Sequence, residues 1–181
     1  MYLRRKIDSF LDNWKSDLER KPLIVRGARQ TGKTESILNF AKKNYESVID
    51  INFVSDPKYK MIVTDGYSAA DIVRNISRIA PSKRFIPGKT LIFFDEITEF
   101  PDIATSLKFF RIDGKYDVIC SGSMLGVNYR SIEHNSVGYK TDYTMRSMDF
   151  EEFLWAKGYS DDTTYEMLGH MKDIKPFNEL E

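Results

Sequence analysis

Cysteine is almost missing from this chain: Cys120 is the single one among 181 residues, which rules out an internal disulfide and fits a reducing compartment such as the cytoplasm. Set inside an apolar run, it reads as a buried strand residue. Long hydrophobic runs are missing too. The longest, Leu91 to Phe94 and the interrupted Ile37 to Ala41, fall far below the roughly 20 residues of a bilayer-spanning helix, so no membrane is expected as partner. The start lacks the pattern of a secretory leader, because Arg4, Arg5 and Lys6 follow Met1 with no apolar stretch behind them. Excess charge of one sign is absent as well. The 27 Lys and Arg balance 27 Asp and Glu, so the overall charge demands neither nucleic acid nor an anionic surface. Repeats, low-complexity tracts and linkers rich in Pro, Gly or Ser are not found. What is present, 41% hydrophobic and 30% charged residues, is the profile of one folded domain with a sizeable core.

The charge is unevenly spread. Nine Lys or Arg stand against four acids between Met1 and Lys33, and nine acids stand against three lysines from Asp149 to Glu181. Such asymmetry marks either an interaction surface or solvated helix faces. Leu3, Ile7, Phe10, Leu11 and Trp14 recur at the spacing of one helical face, which predicts an amphipathic lead-in helix within residues 2–19. Leu23-Ile24-Val25, ending at Gly27, reads as a buried parallel strand. A helix follows over Thr34 to Lys43, a strand over Val48 to Phe53, and a helix over Ser68 to Ile79 with Ser68 as N-cap. The second half repeats the order. Thr90 to Asp95 is a hydrophobic strand ending in two acids, Ile103 to Phe110 a helix, and Asp117 to Ser121 a strand followed by the small-residue turn Ser121-Gly122-Ser123. Tyr139 to Met145 alternates loosely as a further strand, and Asp149 caps a helix to Lys157 with Glu152 three residues on. Strands alternating with helices predict an α/β, three-layer fold with a mainly parallel sheet, a helical lead-in and a helical C-terminal tail. Residues 1–157 form its core and 158–181 the tail.

Gly27-Ala28-Arg29-Gln30-Thr31-Gly32-Lys33-Thr34 is a glycine, four residues, Gly-Lys and Thr, set between a buried strand and a helix. That is the phosphate-binding loop pattern in its expected context. Its glycines let successive backbone N–H groups face phosphate oxygens, and the helix start adds partial positive charge. Lys33 is then expected to reach the β- and γ-phosphates and the Thr34 hydroxyl to hold magnesium. About sixty residues further on, Asp95 and Glu96 close an apolar strand. They lie where ligands of open α/β sheets bind. Asp95 is the expected magnesium partner and Glu96 the general base that polarises the attacking water. Ser121 or Ser123 fits a residue sensing the γ-phosphate, and Arg29, Arg111, Arg130 and Arg146 are candidate arginines for that phosphate. No Asn-Lys-x-Asp run of a guanine site occurs, so ATP is the expected nucleotide.

The run from Lys21 to Thr34 resembles the opening of a bacterial and archaeal family of AAA-type ATPases that carry a C-terminal domain of the DUF4143 type. Phe94-Asp95-Glu96-Ile97, Ser121-Gly122-Ser123-Met124-Leu125-Gly126 and Met148-Asp149-Phe150-Glu151-Glu152-Phe153-Leu154-Trp155 agree with it. The resemblance implies ATP binding and hydrolysis with magnesium, and an arginine at the position of Tyr139, from which this chain departs. It also implies residues past Glu181, so that this chain would hold the ATPase core alone and work with a further domain in cis.

Three functions follow as expectations. The first is an ATPase motor or switch acting on a partner, on an attached domain or through self-association. The second is a nucleotide-dependent DNA or RNA module, suggested by the basic N-terminal stretch with Arg4, Arg5 and Lys6. The third is a small-molecule kinase, against which Glu96 stands, because a water-activating glutamate suits hydrolysis.

Overall fold

Strands that are apolar at every position bury both faces, and such strands form the middle of this protein. The computed structural model describes residues 2–123, 132 and 136–172. Among them a parallel sheet of five strands runs in the order β2 (Ser47–Asn52), β3 (Thr90–Asp95), β4 (Asp117–Ser123), β1 (Leu23–Gly27) and β5 (Thr141–Thr144). All six residues of β3 are buried. Its pleat sends Leu91 and Phe93 to one face and Ile92 and Phe94 to the other.

The first face is covered by α1 (Lys6–Ser16) and α2 (Lys33–Asn44) through Ile7, Leu11, Trp14, Ile37 and Phe40. The second is covered by α3 (Ala69–Ile79) and α4 (Ser106–Asp113) through Ile72, Ile76, Leu107 and Phe110. Full burial of each such side chain stabilises by roughly 1.5–3 kcal/mol, which sets the layers. Ser68 caps α3 by accepting the Asp71 N–H. Two further helices, α5 (Phe150–Ala156) and α6 (Asp161–Lys172), follow β5. Asp149 and Glu152 form a reciprocal capping box at the start of α5.

Two expectations change. Ser121-Gly122-Ser123 is no turn but the end of β4, in register with Val25, Arg26 and Gly27 of β1. Gly122 allows this extension, because a Cβ there would meet Ile97 Cγ1 at 3.3 Å and Thr98 Cγ2 at 3.4 Å. The basic N-terminal stretch also has a different role. Arg4 pairs with Asp161 and lies over the Trp155 ring, Arg5 pairs with Glu152, and Lys6 pairs with Asp149 and Glu151. Three cations of the basic start thus pair with four acids from Asp149 to Asp161, with the Arg4 and Lys6 side chains still 52% and 44% exposed.

The chain reverses its direction of build at β1. From β1 it passes to the far edge at β2, returns through β3 and β4, and then steps over β1 to β5. The crevice at the carboxyl ends of β1, β4 and β3 is the switch point of the sheet, where open α/β folds place their ligands.

Candidate nucleotide site

Residues 27–34 leave β1 and turn directly into α2. Gln30 and Gly32 carry positive φ angles, 62° and 91°, and Gly32 is the N-cap of α2. Gly27 is needed for another reason: an added Cβ would run into the Met145 carbonyl just past β5. Gly27→Ala should therefore push β5 from β1 and lower the melting midpoint by about 4 °C or more. Gly169→Ala, inside the helix Asp161–Lys172 with nothing within 4 Å, is the control expected to hold or raise the midpoint in thermal melts, since alanine favours a helix over glycine.

Lys33 is the first residue of α2 and is 6% exposed. Its ammonium donates to the Gly27 carbonyl at 3.2 Å and the Ala28 carbonyl at 2.7 Å, so it sits inside the curve of the loop. Burial holds its pKa below the ordinary lysine value, against the pull of Glu96 and Asp95. A cation that meets neutral carbonyls within hydrogen-bond distance keeps its charge available to an anion. Thr31 closes the loop by donating its hydroxyl to the Ala28 carbonyl at 3.0 Å.

Asp95 is 4% exposed and is held on every side. Its Oδ2 accepts from Thr34 Oγ1 and Asn52 Nδ2, each at 3.1 Å, and its Oδ1 accepts from the Glu96 N–H at 3.0 Å and the Ser121 hydroxyl. The period of two explains the gathering. Asp95 and Ser121 point to the α2 face of the sheet, and Asn52 lies beside Asp95 in register. Asn52 was not anticipated from sequence. A polar residue closing β2 one register from an acid is the signal that points to it.

Glu96 has a left-handed backbone, φ 55°, which non-glycine residues adopt at a cost. Partial burial, then the Asp95 charge, raises its carboxyl pKa above the usual range, opposed by Lys33 and Arg29. Ser123 ends β4 opposite Gly27 and is 5% exposed, while Ser121 is fully buried with its hydroxyl committed to Asp95.

The arginines separate. Arg29 lies in the loop itself and acts on Glu96. Arg146 follows Met145 at the same edge, with its carbonyl accepting from Arg5 at 2.9 Å. Arg111 is overturned as a phosphate contact within this chain. It closes α4 and bonds Glu19, which precedes β1, at the opposite end of the sheet. Tyr139 is at that end as well: Lys108 lies 5.2 Å from its ring, and Lys21 donates to the neighbouring Gly138 carbonyl. An arginine at position 139 would thus face away from the phosphate loop of its own chain. Arg130 and the block at 124–126 lie outside the described residues.

The sheet order, the strand-loop-helix at residues 27–34 and the acids closing β3 define an α/β phosphate-binding-loop domain of AAA type. The chain belongs to the AAA domain family, whose profile matches residues 19–154. Comparison with the curated proteins finds no match. Among solved structures the chain is similar to Pif1 helicase from Candida albicans, at 13% identity and a TM-score of 0.52, over 94% of this chain and 44% of that one. It is also similar to PCH-2 from C. elegans, at 11% identity and 0.49 over 81% and 44% of the two chains. For the Drosophila ORC structure bound to DNA the values are 12% and 0.47, over 77% and 89%. At such identities the likeness to the helicase concerns the fold alone. The chain spans less than half of the helicase and of PCH-2.

The donor chemistry fits a nucleoside triphosphate with magnesium. The phosphates would be held by the 27–34 backbone and Lys33, and the metal by oxygens of Thr34 and Asp95. Among the described residues no group of three His, Cys, Asp or Glu side chains could hold a metal ion unaided. Magnesium characteristically keeps water and substrate phosphate in its shell, so two protein oxygens suffice. No helix among these residues is long and apolar enough to cross a membrane.

Proposed function

We propose that this chain binds ATP with magnesium and hydrolyses it, serving as the nucleotide-operated part of a motor or switch. The observation that carries this reading is the buried Lys33 ammonium inside the 27–34 loop, with the Thr34–Asp95 pair and Glu96 beside it. Gly27, Ala28, Arg29, Gln30, Thr31 and Gly32 cradle the phosphates, and Lys33 neutralises charge on the β- and γ-oxygens. Magnesium, if held by Thr34 and Asp95, would supply further neutralisation of phosphate charge. Glu96 takes a proton from the attacking water, whose oxygen bonds to the γ-phosphorus as the bond to the β-bridging oxygen breaks, giving ADP and inorganic phosphate. A carboxyl with a raised pKa is a stronger base than an ordinary glutamate and suits that role. Ser123, closing β4 opposite Gly27, is the better placed of the two serines to sense the γ-phosphate. Ser121 holds Asp95. The adenine preference rests on the missing guanine-specific run.

Asp95→Asn tests the metal assignment. The amide has the same shape but loses the charge and one accepted bond, from Asn52 or from the Glu96 N–H, so the magnesium concentration needed to support ATP binding should rise about tenfold. Calorimetric titration of ATP at graded magnesium measures it. An unchanged magnesium dependence would remove Asp95 from the metal site. Turnover by this chain alone should be slow, because an arginine supplied from another domain or subunit contributes roughly 10³ to 10⁵ in rate. Arg29 and Arg146 are the in-chain candidates. Phosphate release that drops more than tenfold on replacing either with Ala would assign the role within the chain.

A further inference from the structure

Arg5 is an arginine nine-tenths buried in a mainly charged N-terminal segment, and its contacts are divided among three parts of the fold. Nη1 donates to the Thr31 carbonyl in the phosphate loop at 2.8 Å. Nη2 donates to the Arg146 carbonyl beyond β5 at 2.9 Å. Nε lies 3.1 Å from Glu152 Oε1, with side-chain exposures of 10% and 6% for the two residues. Glu152 is itself fixed from both helices, since Oε1 accepts the Lys6 N–H at 2.7 Å and Oε2 the Asp149 N–H at 3.1 Å. The start of α1, the start of α5 and the loop thus meet on one guanidinium. A planar fork can donate to both carbonyls while its charge stays against Glu152.

The Thr31 contact has a stereochemical consequence. In a planar trans peptide the C=O and the following N–H point in opposite directions. Drawing the Thr31 carbonyl out to Arg5 therefore turns the Gly32 N–H the other way, away from Arg5. Gly32 has the φ of 91° that this orientation needs, and a Cβ there would lie 3.5 Å from Arg5 Nη1. The remaining loop carbonyls at Gly27 and Ala28 are occupied by Lys33, and the one at Ala28 also by Thr31 Oγ1.

We propose that Arg5 is a positioning residue for the phosphate loop, held in that role by Glu152, so that the seating of α5 and the aim of the Gly32 N–H form one coupled unit. Nucleotide that binds the aimed loop then also favours the seated α5, and displacement of α5 loosens the loop by the same factor, because such coupling is reciprocal. The ligand in this inference rests on the nucleotide reading above. The loop geometry does not.

The test separates positioning from mere stability. Arg5→Met leaves Glu152 buried without its partner and should melt well below the parent. Arg5→Met/Glu152→Met replaces the buried pair with apolar groups of similar length, which restores stability in many proteins, but it does not restore the contact to Thr31. We expect the double variant to melt above Arg5→Met but below the parent, because the Lys6 and Asp149 N–H groups lose their acceptor, to bind Mg–ATP about tenfold or more weakly by calorimetry, and to exchange its Gly32 amide faster. Arg5→Lys is the second variant should the double one melt low. It keeps the charge beside Glu152 but lacks the fork, and should show the same two changes. Parental affinity together with parental Gly32 exchange, in the more stable of the two variants at a temperature where it is folded, would overturn the proposal. If the parent itself fails to bind Mg–ATP the nucleotide reading falls, and Gly32 exchange alone then decides the positioning role.

Discussion

Lys33→Ala is expected to weaken Mg–ATP binding by on the order of 10²-fold or more while the protein stays folded. The lost group is an ammonium that would make charge-assisted bonds to two phosphates, each worth about 1.5–3 kcal/mol. The effect on stability should be small for a reason specific to this fold. Lys33 is buried, and burial disfavours its charge. Removing it relieves that cost but takes the lysine donor from the Gly27 carbonyl and leaves the Ala28 carbonyl with Thr31 Oγ1, and the two changes offset. Calorimetry measures the affinity and a thermal melt the stability. A variant that binds ATP as well as the parent would end the assignment of residues 27–34 as the nucleotide loop.

Glu96→Gln should leave ATP and magnesium affinity within a few-fold of the parent and lower turnover by roughly 10² to 10⁴, the range for a positioned general base. The amide has the same shape and cannot accept the proton. The pH dependence gives the sharper result. A general base works when deprotonated, so the rate falls as pH drops through its pKa. Because partial burial and Asp95 raise that pKa in the folded protein, the acid limb should lie above the ordinary glutamate range. The same limb should be missing from the residual rate of Glu96→Gln. Steady-state phosphate release across pH measures both. A glutamine variant as fast as the parent would show that another group activates the water.

Much of this protein was legible in its sequence, because the signals concerned are local. A strand needs only its own apolar residues, a cap only its own Ser68 or Asp149, and the loop of residues 27–34 only its glycines, Lys33 and Thr34. The strand-helix alternation gave the fold class, and the two acids after Phe94 marked the candidate site by the same logic. The strand end at Ser123 was misread as a turn because small residues favour turns in isolation. In the fold Gly122 is the residue that lets β4 run on past Ile97 and Thr98.

What the sequence alone determined is therefore the set of elements and the chemistry of the loop, each written in neighbours a few positions apart. What only the tertiary structure decided is which distant groups share a site. Asn52 and Ser121 reach Asp95 because parallel strands align in register and side chains alternate across the sheet. Arg111 and Tyr139 leave the site because they lie at the other end of the sheet. Arg5 joins the loop, and the basic start meets the acidic α5 and α6, because α1 packs where both can approach. Ion pairs and hydrogen bonds act over a few ångströms of space, and separation along the chain sets no such distance.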